Sequence, residues 1–184
     1  MQTGRAARQA NLLGALALGT VDRLRDAVLD RNARSLSAGA ALIHLRLRPG
    51  QTIDLLARVL GISHPVAVRL VDRLENEGLV DRRPGADARS RSLVLTKTGQ
   101  RAAVAALRNR LEVLDGVLAP LTVTERDELE RLLEKLLAGM IRSRGAARHI
   151  CRLCDFPTCD QPACPVDRAA EEPGMATSPV GPVR

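Results

Sequence analysis

A chain of 184 residues with one aromatic side chain, Phe156, has few ways to build an interior. Its core must come from Leu, Val, Ile and Ala, which suit packed helices better than a β-sandwich. The same lack excludes a stacking platform for single-stranded nucleic acid and an aromatic sugar-binding groove. Hydrophobic residues make up 45% and charged residues 27%, which excludes both a disordered chain and a membrane protein. The apolar run Leu12–Leu18 is followed by Asp22, Arg23, Arg25 and Asp26 in helical register, so it reads as a helix of a cytoplasmic protein rather than a leader.

The net charge of +7 is unevenly placed. Residues 1–145 hold 24 basic and 16 acidic side chains, whereas residues 146–184 hold four Arg and five acidic groups. The body therefore attracts a polyanion and the tail does not.

Apolar spacing and capping residues set the expected elements. Residues 8–31 read as a first long helix, with Leu12, Leu16, Val21, Leu24 and Val28 on one stripe. A second helix starts at Ser35 or Ser37 and stops at Pro49-Gly50. Thr52 caps Ile53–Leu60, Gly61 ends it, and Ser63 caps a helix from Pro65 to Glu77 whose packed face is Val66, Leu70, Val71 and Leu74. Residues 79–95 read as a hairpin with a basic tip. A helix opened by Thr96–Gly99 is lined by Val104, Leu107, Leu111, Leu114 and Leu118. After Pro120, Thr122 or Thr124 caps a last long helix carrying Leu129, Leu132, Leu133, Leu136, Leu137 and Ile141.

Residues 53–77 have the form of a helix-turn-helix. The major groove of duplex DNA admits one helix whose first turns carry small or hydrogen-bonding side chains. The expected major-groove face is Ser63, His64, Ala67, Val68, Arg69 and Arg73. Pro65 fits the first turn because its missing N–H is harmless there. In the hairpin, Arg82, Arg83, Arg89 and Arg91 outnumber Asp81 and Asp87, and such a ribbon can lie along the minor groove with one arginine inserted. Solvated arginines on an ordinary helix and loop are the alternative, with Asp72, Glu75 and Glu77 as local partners.

These motifs occur in an ordered set: Leu56-Ala57, Gly61-Ile62-Ser63, Val66 to Leu74, Glu77-Gly78-Leu79-Val80, Arg82-Arg83, Asp87-Ala88-Arg89, and Leu95-Thr96 with Gly99. Over about residues 8–142 the set resembles the MarR-type winged helix-turn-helix regulators. The resemblance implies a mainly α fold: a winged helix-turn-helix with long N- and C-terminal dimerisation helices and a two-stranded wing. It implies an obligate homodimer on a pseudo-palindromic operator, most often a repressor, answering a small-molecule or oxidant effector. By the same resemblance Arg89 is the minor-groove wing arginine and Asp87 orients it. The dimer also has its own warrant, since two long apolar stripes exceed what a small trihelical core can cover. No catalytic constellation occurs: His44, His64 and His149 fall on different elements, and no phosphate-binding loop is present, so an enzyme is not expected.

Cys151, Cys154, Cys159 and Cys164 form C-x2-C-x4-C-x4-C, a spacing that can wrap one tetrahedral ion. Zinc is the expected occupant. An iron–sulfur cluster, [4Fe–4S], is the alternative, supported by Cys164-Pro165, and thiols that switch by forming disulfides are a third reading. Pro157, Pro162 and Pro165 stiffen the loops. Arg148 and Arg152 offset thiolate charge, Phe156 covers the metal, and His149 serves either as a ligand or as a donor beside one. The expected division is residues 1–145 as the winged helix with its dimerisation helices, 146–170 as a cysteine-rich metal-binding extension, and 171–184 as a disordered tail. Two rival functions remain: a protein-interaction module with a structural metal, and an iron–sulfur electron-transfer protein.

Overall fold

The computed structural model describes residues 4–28, 35–85, 91–159 and 164–171. Six helices and a hairpin follow in the expected order. They are α1 (Gly4–Val28), α2 (Leu36–Leu47), α3 (Ile53–Leu60), α4 (His64–Asn76), β1 (Val80–Pro84), β2 (Arg91–Leu95), α5 (Lys97–Leu118) and α6 (Val123–Met140). Two further helices, α7 (Arg144–Ile150) and α8 (Pro165–Glu171), flank a 3-10 turn at Cys151–Leu153. The first helix begins at Gly4, four residues before the expected start, while residues 29–31 of the expected helix lie outside the described residues; the cysteine-rich extension is partly helical.

Local chemistry explains the boundaries. Ser35, Thr52, Thr96, Thr122 and Ser143 each sit in extended backbone and accept an N–H from the first turn of the helix that follows. At α6 the cap is reciprocal, because the Glu125 carboxylate accepts the Thr122 N–H at 2.9 Å. Gly61 closes α3 at φ +66, a left-handed conformation that disfavours a side chain.

The main core joins α2, α3, α4, the hairpin and the start of α5. It contains Leu42, Leu45, Leu56, Leu60, Leu70, Val71, Leu74, Leu79, Val80 and Leu93, with Ala38, Ala40, Ala41, Ala102 and Ala103 between them. Alanines let α2 and α5 approach closely, which is how an aromatic-poor chain fills its interior. Gly99 serves the same end, since a Cβ there would lie 1.9 Å from the Leu79 carbonyl oxygen. β1 and β2 pair antiparallel with Val80 opposite Leu95 and Pro84 opposite Arg91. Leu93 also bridges to Gln51, so the hairpin is joined to the segment that leads into α3.

The long helices are otherwise. On α5 the buried side is Gly99, Ala102, Ala103 and Ala106, whereas Val104 and Leu111 of the expected leucine stripe stand open. α1 packs along α5 but leaves Leu12, Leu16 and Val21 exposed. No residue of α6 is buried, and Leu132, Leu133, Leu136 and Met140 are 42–60% exposed. A second, smaller core gathers Ile141, Ala147, Cys164, Val166, Ala169 and Ala170, and joins α8 to both α6 and α7.

Candidate nucleic-acid interface

α3, the Gly61-Ile62-Ser63 turn and α4 present a helix-turn-helix whose outer face can be read residue by residue. Helical phase buries Ala67, Leu70, Val71 and Leu74, spaced three, one and three residues apart. Ala67 is 0% exposed and cannot meet DNA, so it leaves the expected major-groove face. Val66, expected in the core, takes the outward place at 39% exposure. Ala and Val are both small apolar residues, and only their neighbours decide which turns inward.

Ser63, His64 and Arg69 are exposed, and Val68 and Arg73 are half-buried. Ser63 occupies the N-cap position, although its hydroxyl makes no cap bond, and Pro65 lies in the first turn. The His64 imidazole Nδ1 lies 2.6 Å from the Asp54 carboxylate, which orients the ring from the neighbouring helix. Asp54 was not singled out in the sequence, because its partner is ten positions away across a turn. Both line a cleft of about 500 Å³ with Ala57, Arg58, Gly61, Ile62 and Ser63.

The wing corrects a second expectation. Arg82, expected to meet DNA, is engaged within the subunit: its guanidinium donates to Asp72 at 2.5 Å and to Glu75, both on α4. These bonds, Asp72 first, raise a pKa that is already high, so the charge is permanent and engaged within the subunit. Arg82 therefore pins β1 to the recognition helix. Arg83 and Arg91 are exposed, with Arg83 4.0 Å from Asp81. Asp87 and Arg89 lie outside the described residues.

The cysteines bear thiols that meet without forming a finished metal centre. Cys151 and Cys154 bracket the 3-10 turn, where the Cys154 N–H donates to the Cys151 carbonyl at 2.9 Å. Cys159 follows a turn on Asp155, and Cys164 is buried just before α8. The Cys151 S–H donates to the Cys154 sulfur. That bond raises the Cys151 pKa and, with Arg110 nearby, brings Cys154 down to about 6. Cys159 is pushed up by burial and by Cys154 and Cys164. Among the described residues, no three His, Cys, Asp or Glu side chains are arranged as a metal-binding group. Four thiols within electrostatic reach of one another nonetheless have the donor chemistry of a soft cation. His149 is turned away from them: its ring nitrogen Nδ1 lies 3.0 Å from the Val59 carbonyl, which makes it an N–H donor to α3.

Comparison with known proteins agrees with this geometry. The sequence profile of the MarR family matches residues 35–90, from the N-cap of α2 to the residue before β2. The chain is similar to a MarR family protein from Bacillus stearothermophilus, with 26% identity and a TM-score of 0.66 over 76% of this chain and 98% of that one. It is similar to the Mycobacterium tuberculosis MarR family protein Rv2887 in complex with DNA, with 26% identity and a TM-score of 0.57 over 69% and 95% of the two chains. MepR, a transcription regulator of the Staphylococcus aureus multidrug efflux pump MepA, shares the fold at 19% identity and a TM-score of 0.63, over 72% and 98%.

Proposed function

We propose that this chain is a MarR-family transcription regulator rather than an enzyme, and that it binds duplex DNA as a homodimer on a pseudo-palindromic operator; the family profile over residues 35–90 and the likeness to MarR structures support the reading. The observation that carries this reading is the outward face of α4. Val66 and Arg69 project from it, His64 opens it, and a wing bearing Arg83 and Arg91 is pinned beside it by Arg82. The positive end of the α4 dipole and its unpaired first-turn N–H groups favour a phosphate there. In this reading His64, Val66, Val68 and Arg69 meet the major groove with Ser63 at its rim and Arg73 on a phosphate, and Arg83, Arg89 and Arg91 follow the wing into the minor groove with Asp87 steadying Arg89.

The open leucine faces of α1, α5 and α6 support the homodimer, and two symmetric heads support an operator with two half-sites one helical turn apart. Repression, relieved by a small-molecule or oxidant effector, is the mode in this reading. The crystal structure of Rv2887 with salicylic acid, whose chain is 28% identical, supports a small-molecule effector. The site of action is the cytoplasm, and among the described residues no helix is long and apolar enough to cross a membrane. The cysteine box completes the proposal as a site for one zinc ion, with [4Fe–4S] as its rival.

The test is a DNA titration at fixed salt. Arg89→Ala should weaken operator binding by about 1–3 kcal/mol and leave the dimer intact in sedimentation. Unchanged affinity would remove Arg89 from the interface. Loss of affinity together with loss of the dimer would assign it to assembly instead.

A further inference from the structure

The segment from α7 to α8 is a bridge between two parts of the molecule with different tasks. At one end α8 packs on α6, the exposed arm of the proposed dimer, through Val166, Ala169 and Ala170. At the other end α7 lies on α3 and the 3-10 turn lies on α2, with Leu153 seated against the main core.

One close approach is at His149. Its Nδ1–H donates to the Val59 carbonyl at 3.0 Å, and its ring covers Gly61 so tightly that a Cβ there would lie 2.5 Å from its Cε1 atom. Gly61 is the hinge between α3 and the recognition helix, held at φ +66. Arg152 fastens the bridge by donating to the His149 carbonyl at 2.6 Å, and Arg48 covers the Phe156 ring at 5.2 Å.

The thiols stand at the join of this bridge. Cys151 and Cys154 belong to the turn docked on the head, Cys164 leads the helix docked on α6, and Cys159 lies between them. Apart from the thiols, the join rests on a small cluster in which Ala147, Ala169 and Ala170 accompany only Ile141 and Val166 as buried apolar residues, so little apolar area holds it. Four thiolates on one ion would lock it, because metal binding is coupled to folding of the segment that supplies the ligands.

We propose that Cys151, Cys154, Cys159 and Cys164 close on one zinc-class divalent ion, that closure ties α6 to the helix-turn-helix, and that His149 carries this state to the Gly61 turn, so that the loaded protein is the form that binds DNA. Closure moves no electrons: the thiols release their protons to solvent as four sulfur–metal bonds form. With the bridge locked, the His149 ring stays over Gly61 and the turn keeps one conformation. With it open, the ring can leave and the turn gains freedom that DNA binding must remove. The inference rests on the DNA-binding reading above, and its test separates the two.

The full chain is purified anaerobically, assayed for zinc, iron and acid-labile sulfide, and divided into loaded and chelator-stripped samples. Amide exchange at residues 59–64 is measured in both, along with titration of a duplex enriched from a random library by the loaded protein. The expected results are one zinc per chain, faster exchange at 59–64 after stripping, and DNA binding weakened about 5- to 150-fold. His149→Ala should keep its zinc and behave as stripped protein in both assays. His149→Gln, which retains an N–H donor, should behave as loaded protein. Equal exchange in loaded and stripped protein would overturn the proposal, as would loss of zinc from His149→Ala, which would make it a ligand. A brown protein containing iron and sulfide would also overturn it. If exchange responds to zinc but neither form retains any duplex, the bridge stands and the regulator reading falls.

Discussion

Replacing Arg82 with alanine separates a clamp from a DNA contact, because the two roles predict opposite patterns. Arg82 is 25% exposed, and its partners Asp72 and Glu75 are 48% and 37% exposed. Hydrogen bonds to a charged group contribute about 1.5–3 kcal/mol when well shielded, whereas ion pairs in the open contribute about 0.2–1 kcal/mol. The half-open geometry places the two bonds together at about 1–2 kcal/mol. Truncation also leaves two carboxylates near each other without their shared cation, which adds repulsion. For a chain of this size, such a loss lowers Tm by about 2–8 °C. Far-ultraviolet circular dichroism is the natural assay, since the protein is helical and has no Trp or Tyr. DNA affinity should fall through the displaced wing while the slope of log affinity against log salt is unchanged. A lost phosphate contact would instead reduce that slope by about 0.9 per protomer. An unchanged Tm with a shallower salt slope would refute the clamp.

Three other perturbations test separate parts of the molecule. Gly61→Ala forces a side chain into a left-handed turn beneath the His149 ring, and thermal unfolding should reveal a loss of about 1–2 kcal/mol; an unshifted Tm would contradict that packing. Leu132→Glu combined with Leu136→Glu places charges on the open face of α6 and should yield a monomer in sedimentation velocity where the unaltered protein should sediment as the proposed dimer. The Thr122 backbone N–H, and then its hydroxyl, hold the Glu125 carboxyl below its ordinary pKa of 4.5. With the folded value depressed, its stabilising effect is complete above pH 4.5 and disappears as pH falls through the lower folded value. The Tm difference between Glu125→Gln and the unaltered protein should therefore shrink toward acid, and a difference that widened there would be inconsistent with the capping box.

The head of this protein was legible because its signals are local. Thr52, Gly61, Thr96 and Thr122 act within one turn of themselves, and each performs the expected task. Errors begin where neighbours decide. Val66 and Ala67 differ little in pattern, and their burial depends on how α4 sits on the core. Arg82 carries the same charge as Arg83 and Arg91, but among the described residues it is Arg82 that meets Asp72 and Glu75. The leucines of α5 and α6 repeat like a core stripe, yet the main core of a single chain uses the alanine side of α5, and no residue of α6 is buried. The docking of the extension had no readable signal at all. His149 reaches Val59 across 90 positions, and alanines form much of the seam at α8. Short side chains leave no periodic trace when they pack well.

The wing is fastened to the helix-turn-helix and its flanking segments three times over. Arg82 grips α4, Leu93 is hydrogen-bonded to the segment before α3, and the Thr96 hydroxyl donates to the Gly78 carbonyl at 2.6 Å where the hairpin leaves α4. Each head is accordingly a stiff two-pronged fork, and neither prong can adjust to a duplex without the other. On the proposed operator, a change in the distance between half-sites would then be taken up outside the heads, so insertion of base pairs at the operator's centre would strain the shafts that join the two forks and leave their tines as they were.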